Sequence, residues 1–599
     1  MTHPRHTTLI ASIALACALL AGCGEDPSSD GPPPDATPDM SGAPDMTAPI
    51  DEADMDATPQ PARSSGPLMQ DFELLAPRAQ LLRASMALRG TRPSMAEYER
   101  VDADSDAYAE LVDEFLDSPE FGETVRQYVT EWLELDQAPD TYPAGFPSIG
   151  ELSGLSSHEL NTSIIQAPGR LAEHVMMRGR PWSEIVTAEY TLADHTVSVV
   201  WGLPYDDAKG GWQVTEYTDG RPAAGLLSDG WIFTRMPSTD GNRNRERASL
   251  IAGAFICHDY PSRPVKIPAD LDLTSEAAIS NAIEHNPACV SCHHTLDPLA
   301  SFFAVHHGLR IPETDITSYP IAQYTPEKTI DFERPAWYGQ PASDLAELGA
   351  LIAEDPRFAS CSIRRFYSEL MHQPFDDVPF GAIARYLPEF KRSGLDARAL
   401  VRAIALSPEF RARQIDPERG PRYVDVGLRR ATPRQLDKMF DALIGYRWLA
   451  NVDEVFGAEY NIGEVPLMRD FLWGYRTLAG GPNNFDTVEH TRTANPTTLL
   501  VLSNLAERAA RHVVDNDVRS FAAPVLLTVE GAWSGDREAV EEQLELLAVR
   551  LYGLEEDQAA AEAARAVALF DAVVAAADVE RAWEIVLTAM FQDPRVLFY

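Results

Sequence analysis

Cys289-Val290-Ser291-Cys292-His293 is the run in this 599-residue chain whose residue types and spacing specify a chemistry. Two thiols with two residues between them match the separation of the two vinyl groups of a porphyrin. A histidine directly after the second thiol places an imidazole under the iron as proximal ligand, so the run has the spacing that covalent c-type haem attachment needs. Leu296, Leu299, Phe302, Phe303 and Val305 follow at once and would line an apolar haem pocket or pack an ordinary helical core. Two other chemistries use the same residues. Close thiols pair as a disulfide in an oxidising compartment, and a tetrahedral zinc would take both, with Cys257 or His258 completing the set. A thioredoxin-like redox pair needs a βαβ pattern, which does not surround the motif.

The opposite axial position is open to several side chains by type: Met371, His258, His285, His294, His306 and His307. Met371 and His258 rank first, since a thioether or an imidazole can supply that ligand. An unfilled sixth position would suit peroxide or small-ligand chemistry instead of electron transfer. Of six cysteines, Cys17 lies in the signal segment and Cys23 ends it, leaving Cys257 and Cys361 beside the motif pair. Cys257 and Cys361 flank the motif with no other obvious thiol partner, so a disulfide between them is expected, closing a loop of about a hundred residues.

The compartment is read from the first residues. Arg5 precedes an apolar run, Leu9 to Leu20, too short to span a bilayer, and the run ends in Leu20-Ala21-Gly22-Cys23. This is similar to a bacterial lipobox, in which the Cys23 thiol receives lipid, and Gly24 in place of an aspartate resembles lipoproteins sent on to an outer membrane. The mature chain is expected to be anchored in the cell envelope by lipid, not to span it. Residues 24–66 are rich in Pro, Asp, Ser, Ala and Gly, and cannot bury enough apolar surface to offset ordering entropy. They read as a disordered, extended tether.

From Leu68 onward the pattern is helical. Ala76–Leu88, Ala107–Leu116, Ser118–Leu133, Asp344–Glu354, Asp396–Leu406 and Ala539–Leu551 carry apolar residues at steps of three and four. One punctuation recurs at Ser118-Pro119, Asp355-Pro356, Ser407-Pro408 and Asp593-Pro594: a capping oxygen, then proline at the first helical position. Its irregular spacing excludes a solenoid of fixed period. Asp194–Gly220 and Ser262–Leu273 are less helical; Leu192–Pro204 suits a short strand or an irregular loop. The expected architecture is mainly α, with several helical subdomains and long irregular loops. Its segments are a signal (1–22), a tether (23–67), an N-terminal helical domain (68–169), a helical and loop domain (170–248), the CxxCH domain (249–310), a further helical domain (311–415) and a C-terminal helical domain (416–599).

Asn286-Pro287-Ala288-Cys289-Val290-Ser291-Cys292-His293-His294-Thr295-Leu296-Asp297-Pro298-Leu299 resembles the core of a planctomycete- and myxobacterium-type family of large exported proteins. These are described as cytochrome c domain-containing and are built from several domains of unknown function. The likeness extends to Gly225-Leu226-Leu227, Arg243–Arg247, Arg180–Glu184, Trp201–Leu203 and Asp355–Arg413, about half the chain. Arg429–Leu436 and Trp583–Tyr599 give a weaker match. The family's glycine after DPL is Ala300 here, and Ser301–His307 replaces its usual acidic stretch. The resemblance implies one haem on Cys289, Cys292 and His293.

With 91 acidic and 50 basic residues the formal charge is −41. That speaks against a phosphate-tracking nucleic-acid binder and against docking on anionic lipid through a basic face. Only five of the basic residues are lysines; an arginine excess of this kind usually reflects genome composition and carries no functional reading. No GxSxG, HExxH or Gly-rich phosphate loop is present, and Asp194, Asp206 and Asp207 read as solvated loop residues. The expected function is that of a lipid-anchored c-type electron carrier with an unidentified redox or surface partner protein. The alternative is a haem-free structural or binding lipoprotein whose CxxC is a disulfide or zinc clip.

Overall fold

Each of the four proline-marked positions starts a helix in the computed structural model of the protein. The Ser118 and Ser407 hydroxyls accept the N–H of Phe121 and Phe410, and the Asp355 and Asp593 carboxylates accept those of Arg357 and Arg595. Proline stands at the first helical position, where a missing N–H leaves no bond unmade. At the two aspartates the arginine two residues on also forks back to the capping carboxylate, at 2.9 and 2.6 Å for Asp355 and 2.7 Å twice for Asp593. The structure describes residues 72–135, 145–238, 243–262, 271–308, 316–326, 334–415, 426–458, 461–469, 474–482, 489–520 and 524–599, with positions 267, 269 and 487. The signal, Cys23 and the tether lie outside the described residues.

The chain is mainly α. Pro77–Arg89, Met95–Ala103, Ala107–Asp117, Pro119–Trp132 and Ser157–Met177 form an N-terminal helical group, in which Pro119–Trp132 packs along Ser157–Met177. Arg245–Ile256, Glu276–His285 and Pro287–Ser301 carry the motif region. Leu345–Glu354, Pro356–Met371, Phe380–Arg392 and Ala397–Ala405 follow, and Pro433–Ile444, Pro496–Val513, Arg537–Tyr552, Glu556–Ala576 and Val579–Phe591 close the chain. The described strands are short antiparallel pairs. Thr191–Ala193 pairs with Gln213–Thr215, and the next residue, Asp194, caps a helix over His195–Trp201 that stops at left-handed Gly202 (φ 69°). The stretch read as strand or loop is therefore a strand and then a helix, with Asp194 a cap and not a solvated loop acid.

All described residues fall in the unit Ser64–Tyr599, and distant segments are stitched across it. Phe72–Leu74 pairs with Ala412–Ile415. Arg429 and Ala431 exchange backbone hydrogen bonds with Tyr599 and Leu597 at 2.7–2.9 Å, joining the two weakly matching C-terminal stretches. Arginines reach where strands do not. Buried Arg83 donates to the carbonyls of Phe410, Ala412 and Gly427, and buried Arg92 to those of Arg595 and Val596. The arginine excess thus has a structural use that composition alone did not reveal: the planar guanidinium has five donors and meets several carbonyls at once.

Cys257 and Cys361 are bonded, with Cα atoms 5.4 Å apart and a sequence separation of 104. The bond ties the end of Arg245–Ile256 to the buried face of Pro356–Met371. Replacing both cysteines by serine is expected to lower stability by about 3–5 kcal/mol. Urea unfolding of the double variant beside the parent measures it; coincident midpoints would show that the link carries no stability.

Candidate functional site

The motif sits on the second helix of a hairpin. Asn286 accepts the N–H of Ala288, Pro287 takes the first helical position, and Pro287–Ser301 then runs on through Pro298. Cys289, Cys292 and His293 stand at i, i+3 and i+4, which places them on one helical face. They look onto a cleft of about 230 Å³ shared with Ala288. Its other walls are Ile279, Ala282 and Ile283 of the preceding helix, with Ile267, Leu271 and Leu273. Apart from the two thiols and the imidazole, every lining side chain is aliphatic. Ile267 and Leu273 remain 54% and 59% exposed.

Both thiols are unbonded and partly exposed. The imidazole is held from behind: His293 Nδ1 lies 2.9 Å from Asp297 Oδ1, one turn on. Asp297 also takes a fork from Arg245, at 2.7 and 2.8 Å. Burial works to raise the Asp297 carboxyl, but the hydrogen bonds from Arg245 and His293 outweigh it, so the group lies below the usual carboxylate range. An ionised carboxylate only accepts, so Nδ1 carries a proton, and in the neutral ring Nε2 keeps its lone pair. That is the orientation by which a carboxylate prepares a histidine to ligate a metal.

The other expected ligands lie elsewhere. His258 stacks on Tyr260, with centroids 4.3 Å apart, and its Nδ1 takes the Tyr338 hydroxyl at 2.6 Å. Tyr260 meets Thr295, which is on the motif helix but is not among the side chains lining the cleft. Met371 ends its helix with its sulfur 3.6 Å from an Arg429 nitrogen. His285 and His294 bond the Asn281 and Val290 carbonyls one turn back, and His306 is buried between Phe233 and Tyr324. None of these, nor His307, is among the side chains lining the cleft. Leu296, Leu299, Phe302 and Phe303 are core residues, and the cleft takes its apolar walls from residues before the motif. A zinc clip completed by Cys257 is corrected by the disulfide, which consumes that thiol. Among the described residues no three His, Cys, Asp or Glu side chains gather as metal ligands.

No family model, curated protein or solved structure matches the chain. The likeness to exported cytochrome c domain-containing proteins therefore stands on the motif residues themselves.

A second constellation carries no signature in the sequence. Glu131, Glu369, His372 and His490 line a cavity of about 280 Å³ away from the motif. His490 Nε2 meets Glu131 at 3.1 Å, and Trp132 Nε1 donates to Glu369 at 2.8 Å. Burial would raise Glu131, but the charge and hydrogen bond of His490, with Arg434 and Arg476, bring it down to about 2. Burial and then the Glu131 charge push Glu369 up to about 7, against Trp132, His490 and Arg365. Glu131, the pair Glu369 and His372, and His490 come from three separate stretches, so no local spacing could have marked the set.

Glu369 gives the pH dependence a sign. Its folded value lies above the unfolded one, so its contribution to stability is full below about pH 4 and is lost as pH rises through about 7. Glu369→Gln, which cannot ionise, should be more stable than the parent at pH 8 by on the order of 1–3 kcal/mol, the gap closing toward pH 5. Denaturant midpoints at the two pH values measure this; a pH-independent difference would place the ionisation elsewhere.

Proposed function

We propose that the protein is an exported lipoprotein, acylated at Cys23 and held at the outer membrane, which carries one c-type haem and serves electron transfer. The observation that carries the reading is the meeting of two unbonded thiols and a carboxylate-held imidazole on one aliphatic, partly open cleft. The residues present fit the group. Cys289 and Cys292 would hold it covalently, His293 would offer Nε2, and the exposed Ile267 and Leu273 would gain apolar cover. A haem bound there supplies a one-electron couple. Asp297 fixes the imidazole's tautomer, Arg245 holds Asp297 ionised, and the aliphatic walls offer apolar contact beside the helix face. The partner would be a redox or surface protein of the envelope.

A second reading, a haem-free binding or scaffold lipoprotein with Cys289 and Cys292 paired, is favoured by the cleft's size. At about 230 Å³ it is smaller than the ~300–1,000 Å³ of usual ligand pockets.

Expression of the full chain with a cytochrome c maturation system separates the two. The haem reading expects a Soret band and a mass increment of one haem, both lost in Cys289→Ser/Cys292→Ser. A colourless product lacking the increment sinks it and leaves the disulfide reading. Anchoring is tested separately: Cys23→Ala should leave the membrane fraction or remain unprocessed, and a normally processed variant that still fractionates with lipid would place the anchor elsewhere.

A further inference from the structure

We propose that the cavity walled by Glu131, Glu369, His372, Arg434 and His490 binds a small organic anion that carries both a carboxylate and hydroxyl groups. The cavity lies where Pro119–Trp132 and Ser157–Met177 meet the end of Pro356–Met371 and the start of Pro433–Ile444. Its volume, about 280 Å³, suits a ligand below drug size, for which pockets run upward from ~300 Å³.

The strongest pointer is an unanswered donor. His372 ends its helix in the left-handed region, at φ 54°, and its Nδ1 accepts the Arg430 N–H at 3.3 Å. Burial first, then the charges of His490, Arg492, Arg429 and Arg430, lower the imidazole to about 3, so the ring is neutral. With Nδ1 accepting, the proton sits on Nε2. That Nε2–H is sealed from solvent and meets no acceptor among the described residues. His490 Nδ1, on the same cavity, is likewise sealed and without a hydrogen bond among the described residues. Buried polar groups are normally satisfied, and exceptions ask for an occupant.

Charge decides what kind of occupant. Arg126, Arg434, Lys438, Arg447 and Arg469 outnumber the acids Glu123, Glu131 and Glu369 on these walls, although the whole chain carries −41. Four of these cations are held by acids, Lys438 by Glu123 at 2.9 Å, Arg469 by Asp437 at 2.6 Å, Arg126 by Glu173 at 2.9 Å and Arg447 by Asp441 at 3.0 Å, so the call for an acceptor group rests first on the sealed His372 N–H. A carboxylate oxygen suits the His372 N–H and the Arg434 charge. Hydroxyl groups suit the Glu131 and Glu369 oxygens, which accept, and His490 beside them. A metal ion does not fit, since these side chains do not converge as ligands among the described residues. Glu369 sets the pH range. Protonated, it leaves Glu131 as the one charge of the facing acid pair; once ionised, it adds a second charge that opposes an anion.

Calorimetric titration of the full mature protein in detergent tests this, using D-glucuronate, D-gluconate and L-tartrate, with D-glucitol and acetate as controls. At pH 6 at least one hydroxy acid should bind saturably, at least tenfold tighter than either control. His372→Phe should weaken it at least tenfold. Affinity should fall several-fold between pH 6 and pH 8, and Glu369→Gln, whatever its own affinity at pH 6, should lose that fall, which keeps the test decisive if His372→Phe does not fold. No saturable binding of any of the three acids overturns the proposal. Equal binding of a control, or binding indifferent both to His372→Phe and to pH, overturns it as well.

Discussion

Buried guanidinium groups bonded to backbone carbonyls are the interaction on which the rest of this architecture depends. Arg83, Arg92 and Arg247 are each almost wholly enclosed, and their hydrogen-bond partners among the described residues are carbonyls or a sulfur, with no carboxylate among them. Burial lowers Arg247 to about 9 and Arg83 to about 10, which still leaves both charged at neutral pH. A buried cation is costly unless its donors are matched. Here backbone carbonyls match most of the donors, while Arg83 Nε, Arg92 Nη1 and Arg247 Nε meet no partner among the described residues. Lysine, a point charge with three donors, could not span Phe410, Ala412 and Gly427 from a single side chain.

The same device reaches the motif through one helix, Arg245–Ile256. At its start Arg245 forks onto Asp297, which in turn holds His293. Within its first turn Arg247 gathers the carbonyls of Phe233, Met236 and His306. At its end Arg365 takes the carbonyls of Gly253 and Ala254, and the Cys257–Cys361 bond follows directly. The helix is therefore fixed at both ends to Pro356–Met371 and to the motif helix. The orientation of one imidazole is coupled to the packing of the core, although the cleft it faces is partly open. A rigid support behind an open face is the arrangement a site needs when its occupant arrives after folding.

What was legible in the sequence follows from range. Proline-marked caps, helical faces and the CxxCH spacing are properties of stretches of five to fifteen residues, and the structure presents helices at each of the six stretches read as helical. The motif's face is equally local, because i, i+3 and i+4 must share a side of a helix. Position across the fold was not legible. Met371 and His258 were ranked by chemical type, yet Met371 is drawn to Arg429 and His258 into a stack with Tyr260. Glu131, Glu369 and His490 come together over more than three hundred positions of sequence, and each alone reads as an ordinary polar residue on a helix or loop. The arginine excess was visible but mute, because its partners are backbone atoms and have no letter.

The two sites obey opposite physics. The cleft is aliphatic with one imidazole, and what it would gain from an occupant is burial of Ile267 and Leu273. The cavity is polar and charged, and what it would gain is a partner for sealed N–H groups. The acidity of the chain acts on them differently. Around an exposed cleft, a net charge of −41 shapes the approach of another macromolecule and favours a partner with a basic face, since complementary potential governs encounter rate more than affinity. Inside the cavity, wall charges a few ångströms away outweigh distant surface acids, which salt screens beyond ~8–10 Å. An acidic protein can therefore keep a local preference for an anion, provided its cations line the interior. That is where the buried and half-buried arginines of this chain are placed.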